Sequence, residues 1–105
     1  MSHLEAEVAK LALNSYITTK ISFANMVGDS LRRCGKESTK VLNFVGSDSR
    51  IGKKCFKYGW GYGGPCFPRD NRAFCTFLRE NGMYDYIPVA SHESNERHAM
   101  EQAIY

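Results

Sequence analysis

The pattern of apolar and polar residues in the first third of the chain predicts one long helix. No proline occurs between Leu4 and Cys34, and apolar side chains recur there at the three- and four-residue spacing of a helix. Gly35 is placed to end this helix, because glycine is common just after a helix C-terminus. Gly28 lies inside the segment and lowers its helix propensity at one position.

Three shorter helices are predicted for the rest of the chain. They extend from Ser38 or Thr39 to about Val45, from Pro68 to about Glu80, and from Pro88 or Ser91 to the end. The helix that begins at Pro68 stops at Asn81–Gly82. Residues 46–66 form a loop with a short helical turn at 53–56. Strand signals are weak, so the predicted fold class is all-α, in a single domain of 105 residues.

Composition adds little except for the placement of charge. The chain is 43% hydrophobic and 24% charged, as is ordinary for a globular protein, and its net charge is +3. Residues 32–79 contain eleven Lys or Arg against three Asp or Glu. This basic middle suits an anionic ligand such as a pyrophosphate, or it is a solvated face. A nucleic-acid partner is not expected, because no binding motif accompanies the charge.

The cysteines indicate free thiols in a reducing cytoplasm. No Cys-x-x-Cys pair occurs and the three histidines are scattered, so we expect no metal site. We expect three of the cysteines to be small buried hydrophobes: Cys34, Cys55 and Cys75. No signal peptide or apolar run of membrane-spanning length is present, which favours neither export nor a membrane partner.

The stretch from Gly59 to Asp70 is the most informative part of the sequence. It reads Gly-Trp-Gly-Tyr-Gly-Gly-Pro-Cys-Phe-Pro-Arg-Asp, so that Cys66 lies between a glycine-rich loop and a predicted helix N-terminus. The partial positive charge of a helix N-terminus lowers the pKa of a cysteine thiol and favours the reactive thiolate. Asp70 is predicted in the first turn of the same helix. Most glycine-rich loops are plain turns, so the loop alone is weak evidence.

Lys10 and Asn14 are four residues apart and therefore share one face of the first helix. Both side chains can donate to one oxygen, which would suit an oxyanion that forms during a reaction. From spacing alone, a solvent-exposed pair on an amphipathic helix is the commoner explanation.

Several segments together resemble the UDP-glucose/GDP-mannose dehydrogenase family, specifically its central, dimer-forming domain. The similar segments are Lys10–Asn14, Thr19–Phe23 with Asn25, Ser47–Gly52 and Gly63–Asp70. They occur in the family's order and cover roughly residues 5–80. The resemblance implies a helical dimerisation domain that forms a homodimer through its long helix. It also implies an enzyme that oxidises the C6 alcohol of a nucleotide sugar to a carboxylate with NAD.

The resemblance also implies roles for individual residues. Cys66 would be the nucleophile that carries the sugar as a thioester, Asp70 would position the hydrolytic water, and Lys10 and Asn14 would hold substrate oxygens. Further substrate contacts would come from Arg50, in the neighbouring subunit's site, and from Lys57, Tyr58, Gly59, Tyr62 and Gly63. Cofactor contacts would come from Cys66 and Arg69, where Arg69 replaces the family's usual lysine. Trp60 or Tyr62 would cover the sugar or the base.

The chain looks like a fragment of such an enzyme, and alone it is expected to be inactive. No Gly-x-Gly-x-x-Gly lies between a strand and a helix, so the NAD-binding domain is missing, as is the second nucleotide-sugar domain. UDP-glucose is the first choice of substrate, with GDP-mannose and UDP-N-acetyl-mannosamine as alternatives. A non-catalytic helical module is a further alternative. A β-hydroxyacid dehydrogenase domain is disfavoured, because those enzymes need no nucleophilic cysteine.

Overall fold

Four helices form the part of the chain that the computed structural model describes, residues 1–62 and 66–104, with backbone only for Cys66 and Ile104. They are α1 (His3–Arg33), α2 (Thr39–Gly46), α3 (Cys66–Glu80) and α4 (Tyr86–Ile104). The all-α prediction is confirmed. α1 is the longest element and packs along α3 and α4, with a smaller contact to α2.

Both ends of α1 are fixed by local sequence. At the start, Ser2 and Glu5 form a capping box, in which the Ser2 hydroxyl accepts from the Glu5 N–H at 3.1 Å and the Glu5 carboxylate accepts from the Ser2 N–H at 2.8 Å. At the end, Gly35 takes a φ of +71°, and the Lys36 N–H reaches the Leu31 carbonyl at 2.9 Å. This is the Schellman motif that the predicted terminal glycine allows.

α3 ends in the same motif, but α3 and α4 begin earlier than predicted. Gly82 has a φ of +71° and confirms the predicted stop. Pro68 and Pro88 are each the third residue of their helix, whereas the prediction starts α3 at Pro68 and α4 at Pro88 or Ser91. Proline is tolerated there, because the N–H groups of the first turn have no partner inside the helix. The prediction that Asp70 lies in the first turn is therefore wrong, since it is the fifth residue of α3.

The described part of the connection from α2 to α3, residues 47–62, is a series of turns, as predicted. Ser38 is the N-cap of α2 but makes no side-chain hydrogen bond, and the Glu37 carboxylate accepts from the Thr39 N–H at 3.0 Å instead. The predicted turn at 53–56 is present, with the Phe56 N–H bonded to the Lys53 carbonyl at 3.1 Å. Cys55 takes a φ of +59° inside it.

An apolar cluster joins α1, α2 and the turns that follow. Its buried members are Ala24, Leu42 and Phe56, and Val27, Val45 and Tyr58 pack against them. This cluster is the main purely hydrophobic contact in the described part of the chain, and it lies to one side of α1.

A second contact region, which we call the polar seam, lies between α1, α3 and α4. Its buried members are Ser15, Thr18, Ser22, Asn71 and Ser91. The Ser15 hydroxyl donates to the Asn71 amide oxygen at 2.9 Å, and the Asn71 amide donates to the Pro88 carbonyl at 2.9 Å. Small polar residues let helices approach closely, and each buried hydroxyl then needs a partner.

The buried residues of α1 are therefore mostly small and polar. Of the apolar residues whose spacing predicts the helix, Leu4 and Tyr16 are exposed, and Val8, Leu11 and Leu31 are half-buried. The cysteines also divide. Cys75 is buried as predicted, and burial raises the pKa of its thiol. The same prediction is wrong for Cys34 and Cys55, which are exposed because one caps the solvent end of α1 and the other lies in a tight turn.

No described helix combines the length and apolarity needed to cross a membrane.

Candidate functional site

The structure brings two predicted catalytic residues, Asn14 and Asp70, into direct contact. The Asn14 amide nitrogen donates to the Asp70 carboxylate at 2.6 Å, across 56 residues of sequence. Asp70 is only 4% exposed, although Asn14 is partly open to solvent. The next residues on both helices, Ser15 and Asn71, are also hydrogen-bonded to each other. Two consecutive pairs fix the register of α1 against α3, so the carboxylate is held in place by the polar seam.

Two cationic residues flank this pair. Lys10 lies one turn before Asn14 on α1, where its side chain is exposed and has no partner among the described residues. Arg69 is exposed, and its Nε lies 3.7 Å from an Asp70 carboxylate oxygen. A buried carboxylate with an amide donor and a nearby guanidinium can orient a polar ligand, and an exposed lysine on the same side remains available to that ligand.

Cys66 is the first residue of α3, so its predicted place at a helix N-terminus is confirmed. Asp70 follows four residues later, which puts the two positions on one helix face. The Cys66 side chain and all of Gly63 lie outside the described residues, so their roles stay predictions.

The glycine-rich loop, described here through residues 57–62, is held by side chains rather than by secondary structure. The Gly59 N–H donates to the Asn25 amide oxygen at 3.0 Å. The Tyr62 N–H donates to the Asn95 amide oxygen at 3.0 Å, and the Asn95 amide nitrogen donates back to the Tyr62 carbonyl at 3.1 Å. A Cβ at Gly61 would overlap the Asn95 side chain, which explains one glycine of the motif.

Tyr58 packs against α1 at the position of Gly28. A Cβ on Gly28 would overlap the Tyr58 ring, so the glycine that weakened the helix prediction is where the loop approaches the helix. The Tyr58 hydroxyl donates to Asp29 at 2.7 Å and accepts from Arg32 at 3.3 Å. Burial is the largest cause of the raised pKa of the Tyr58 phenol. Its predicted substrate contact would have to use this anchored ring.

The two aromatic residues expected to cover the sugar or base differ in exposure. Tyr62 is only 7% exposed, and its hydroxyl is buried with no hydrogen-bond partner in the described structure. Burial, helped by Cys75 and Glu96, raises the pKa of Tyr62 to about 12. Trp60 is 86% exposed and borders an open groove of about 520 Å³. Of the two, Trp60 is the one available to a ligand.

Arg50 and Lys57 are both exposed and lie apart from the Asn14–Asp70 pair. Arg50 donates to Asp48 through Nε and Nη2, one edge of its guanidinium, at 3.0 and 2.8 Å, and these bonds lower the pKa of the Asp48 carboxyl. The Lys20 ammonium ties this turn to α1 through the Ile51 carbonyl at 2.9 Å. The structure therefore presents Arg50 to solvent on a fixed turn.

Sequence reasoning missed the residues that hold the site together. They are Asn25, Asp29, Asn71, Asn95 and His98, each hydrogen-bonded to another element. Their one signal in the sequence is a polar residue at a helical position that faces neighbouring helices. Without the packing, such a polar residue cannot be distinguished from one on a solvent-exposed helix face.

The described residues do not form a cradle for a dinucleotide. Such a cradle needs a strand, a glycine turn and a helix, and the described segments 1–62 and 66–104 contain helices and turns alone. In the same segments, no group of three or more His, Cys, Asp or Glu side chains is arranged as metal ligands.

Fold and site together define an all-helical domain with a paired amide and carboxylate beside a glycine-rich loop. The chain belongs to the UDP-glucose/GDP-mannose dehydrogenase family, since the sequence model of that family's central domain matches residues 4–97.

Similar proteins include the UDP-glucose 6-dehydrogenase TuaD of Bacillus subtilis, 41% identical over 92 residues, which are 88% of this chain and 20% of TuaD. The UDP-glucose 6-dehydrogenase AglM of Haloferax volcanii is 37% identical over 92 residues, which are 88% of this chain and 21% of AglM. A UDP-glucose dehydrogenase structure from Pyrobaculum islandicum superimposes with a TM-score of 0.85 at 42% identity, over 92% of this chain and 22% of that one. The chain thus spans about a fifth of the length of these relatives.

Proposed function

We propose that this chain is the central domain of a longer, cytoplasmic enzyme that oxidises the C6 alcohol of UDP-glucose to a carboxylate. NAD would accept the two hydrides, and it would bind mainly to a part of the enzyme outside this chain. This choice of substrate is supported by relatives named UDP-glucose 6-dehydrogenase, which are 41% and 37% identical over 88% of this chain.

The observation that carries the proposal is the 2.6 Å hydrogen bond between Asn14 and Asp70. Two residues that lie far apart in sequence, each in a motif shared with the family, meet at a buried carboxylate. In the proposed reaction, Lys10 and Asn14 donate to the C6 oxygen as negative charge develops on it. Asp70 orients the water that later attacks the acyl carbon.

Cys66 supplies the covalent step of the proposal. After the first hydride leaves C6, the thiolate sulfur adds to the aldehyde carbon, and the oxygen takes up a proton to give a thiohemiacetal. The second hydride then leaves the same carbon and the hydroxyl proton is released, which gives a thioester. Water attacks the thioester, the carbon–sulfur bond breaks, and the carboxylate and the thiolate are formed.

The nucleotide end of the substrate would lie along α1 toward the glycine-rich loop. Asn14 and Asn25 are eleven residues apart, which is close to three helical turns, so they share a face about 16 Å apart. Asn25 holds the loop backbone at Gly59, next to the exposed Trp60. An extended ligand could therefore reach from the carboxylate to an aromatic surface and to the basic loop residue Lys57.

A homodimer through α1 is also part of the proposal. Large apolar side chains on α1 are exposed at a helical spacing: Leu13, Tyr16, Phe23 and Met26. Tyr86 and Ile87 of α4 continue this surface, and an apolar groove of about 530 Å³ lies between α1, α3 and α4. A monomer rarely leaves an apolar area of this kind in water. Sedimentation of the full-length enzyme with Phe23→Glu would give monomers where the wild type gives dimers.

The function is tested by counting NADH formed per nucleotide sugar in the full-length enzyme. The panel is UDP-glucose, GDP-mannose and UDP-N-acetyl-mannosamine, and the variants are Cys66→Ser and, as a matched control on an exposed thiol, Cys34→Ser. The expected result is two NADH per UDP-glucose, lost in Cys66→Ser and kept in Cys34→Ser. One NADH per sugar, insensitive to Cys66→Ser, would rule out the thioester. No turnover with any panel member would favour a non-catalytic module.

A further inference from the structure

His98 on α4 is the largest fully buried side chain in the described part of the chain, and the proposed chemistry does not use it. It is 2% exposed, and both of its ring nitrogens have close partners. Nδ1 lies 2.7 Å from the Asp29 carboxylate on α1, and Nε2 lies 2.5 Å from the Gly59 carbonyl oxygen in the glycine-rich loop. One side chain thus joins α4, α1 and the loop.

The hydrogens of this arrangement can be assigned from its partners. A carbonyl oxygen can only accept, so the His98 Nε2 carries a hydrogen and donates it to Gly59. The Tyr58 hydroxyl accepts from Arg32 and therefore gives its own hydrogen to the Asp29 carboxylate. Between Nδ1 and the second Asp29 oxygen there must be one more hydrogen, because two bare acceptors do not rest 2.7 Å apart. A single hydrogen therefore joins His98 to Asp29.

The same carbonyl is the point where the loop is most strongly held. Gly59 also accepts from Gln102 at 3.2 Å, and its N–H donates to Asn25. The Tyr58 ring stands edge-on to the His98 ring, with centroids 5.4 Å apart. His98 thus contacts the Tyr58 ring, the Gly59 carbonyl and Asp29, which itself accepts from the Tyr58 hydroxyl.

We infer that His98, through its pair with Asp29, is the positioning residue that sets the glycine-rich loop for the nucleotide sugar. The inference rests on the proposed function for the identity of the ligand. His98 acts through the Gly59 backbone and is not a catalytic residue. Its substitution changes the binding of the nucleotide sugar while leaving NAD, which is bound elsewhere, unaffected.

The first test is hydrogen–deuterium exchange of the full-length enzyme, read on peptides that cover residues 57–62. In the wild type these amides exchange slowly although they lie outside any helix. With His98→Gln, which can donate to one partner but not to both, they exchange about tenfold faster, the factor for losing one hydrogen bond. The matched control is His92→Gln, an exposed histidine on the same helix, which leaves them unchanged.

The second test is calorimetric binding of UDP-glucose and of NAD to the same variants. His98→Gln and Asp29→Asn weaken UDP-glucose binding about tenfold and leave NAD binding unchanged. Asp29→Asn also serves if His98→Gln does not fold. Any of three results would overturn the inference. They are wild-type-like exchange at 57–62 in both variants, fast exchange there in the wild type, and equally faster exchange of peptides over the polar seam. If the wild type binds no nucleotide sugar, the proposed function fails, and the exchange experiment still decides the role of His98.

Discussion

The apolar cluster and the polar seam both involve α1, but the first stabilises it by hydrophobic packing and the second by hydrogen bonds. The buried side chains of the cluster, Ala24, Leu42 and Phe56, join α1 to α2 through volume and water exclusion and make no hydrogen bonds. The seam joins α1 to α3 and α4 with hydroxyls and one amide that must each find a partner at a set distance. The Asn14–Asp70 pair borders the seam, whereas the glycine-rich loop meets the cluster through Tyr58.

The difference explains why a domain of this size gives up apolar burial at its main helix contacts. Hydrophobic packing tolerates small shifts, whereas a hydrogen-bonded register allows one alignment of α1 against α3. Asn14 and Asp70 follow directly from that alignment, because Ser15 and Asn71 are their neighbours. The apolar residues displaced to the surface are then available for the proposed dimer.

The largest expected effect comes from breaking the seam. Asn71→Ala removes the acceptor of the buried Ser15 hydroxyl and one of the donors to the Pro88 carbonyl, and we expect a loss of about 3 kcal/mol in the free energy of unfolding. Urea denaturation of the 105-residue chain measures it. Thr76→Ala, on the exposed side of α3, is the control and should change stability by less than about 0.5 kcal/mol.

The matching change in the cluster, Leu42→Ala, should cost about 2 kcal/mol at this edge of the fold. It should leave UDP-glucose binding by the full-length enzyme unchanged, while Asn71→Ala weakens it. Equal effects of the two substitutions on binding would remove the distinction between seam and cluster.

Gly28→Ala tests the point where the cluster meets the glycine-rich loop. Helix propensity alone would make alanine stabilising by about 1 kcal/mol. The overlap with the Tyr58 ring should reverse the sign and give a loss of about 2 kcal/mol. Thermal unfolding provides the measurement, and Gly59→Ala is the control because a Cβ there meets nothing. Stabilisation by Gly28→Ala would show that Tyr58 does not rest on the helix.

The smallest expected effect concerns Tyr62, whose hydroxyl lacks the partners that the seam provides. Tyr62→Phe should raise the free energy of unfolding by about 1 kcal/mol, because it removes an unsatisfied buried group. The folded pKa of about 12 lies above the ordinary value near 10. The wild type should therefore lose stability as pH rises from about 10 to about 12, and Tyr62→Phe should lose less. Identical pH profiles would mean that the hydroxyl reaches solvent.

The helices were predictable because their signals are local. Gly35 and Gly82 act within a few residues, and most predicted helix ends lie within about two residues of the observed ones. The exception is Ser91, the later of the two predicted starts of α4, which lies five residues after the observed start at Tyr86. The contents of the core were not predictable, since the burial of Ser15 or Asn71 depends on which helices meet. The motif residues Asn14 and Asp70 could be named in advance only through the family resemblance. Asn95 and His98, which hold the glycine-rich loop, became visible only in the packing.

The most direct test of the account is the fate of Cys66 when Asp70 is changed. Full-length Asp70→Asn, mixed with UDP-glucose and NAD, is examined by intact mass spectrometry while NADH is recorded. If the seam holds Asp70 to orient the hydrolytic water, two NADH form per subunit in one burst, turnover then stops, and a sugar-nucleotide adduct remains on Cys66. Steady turnover at the wild-type rate with no adduct would contradict the account.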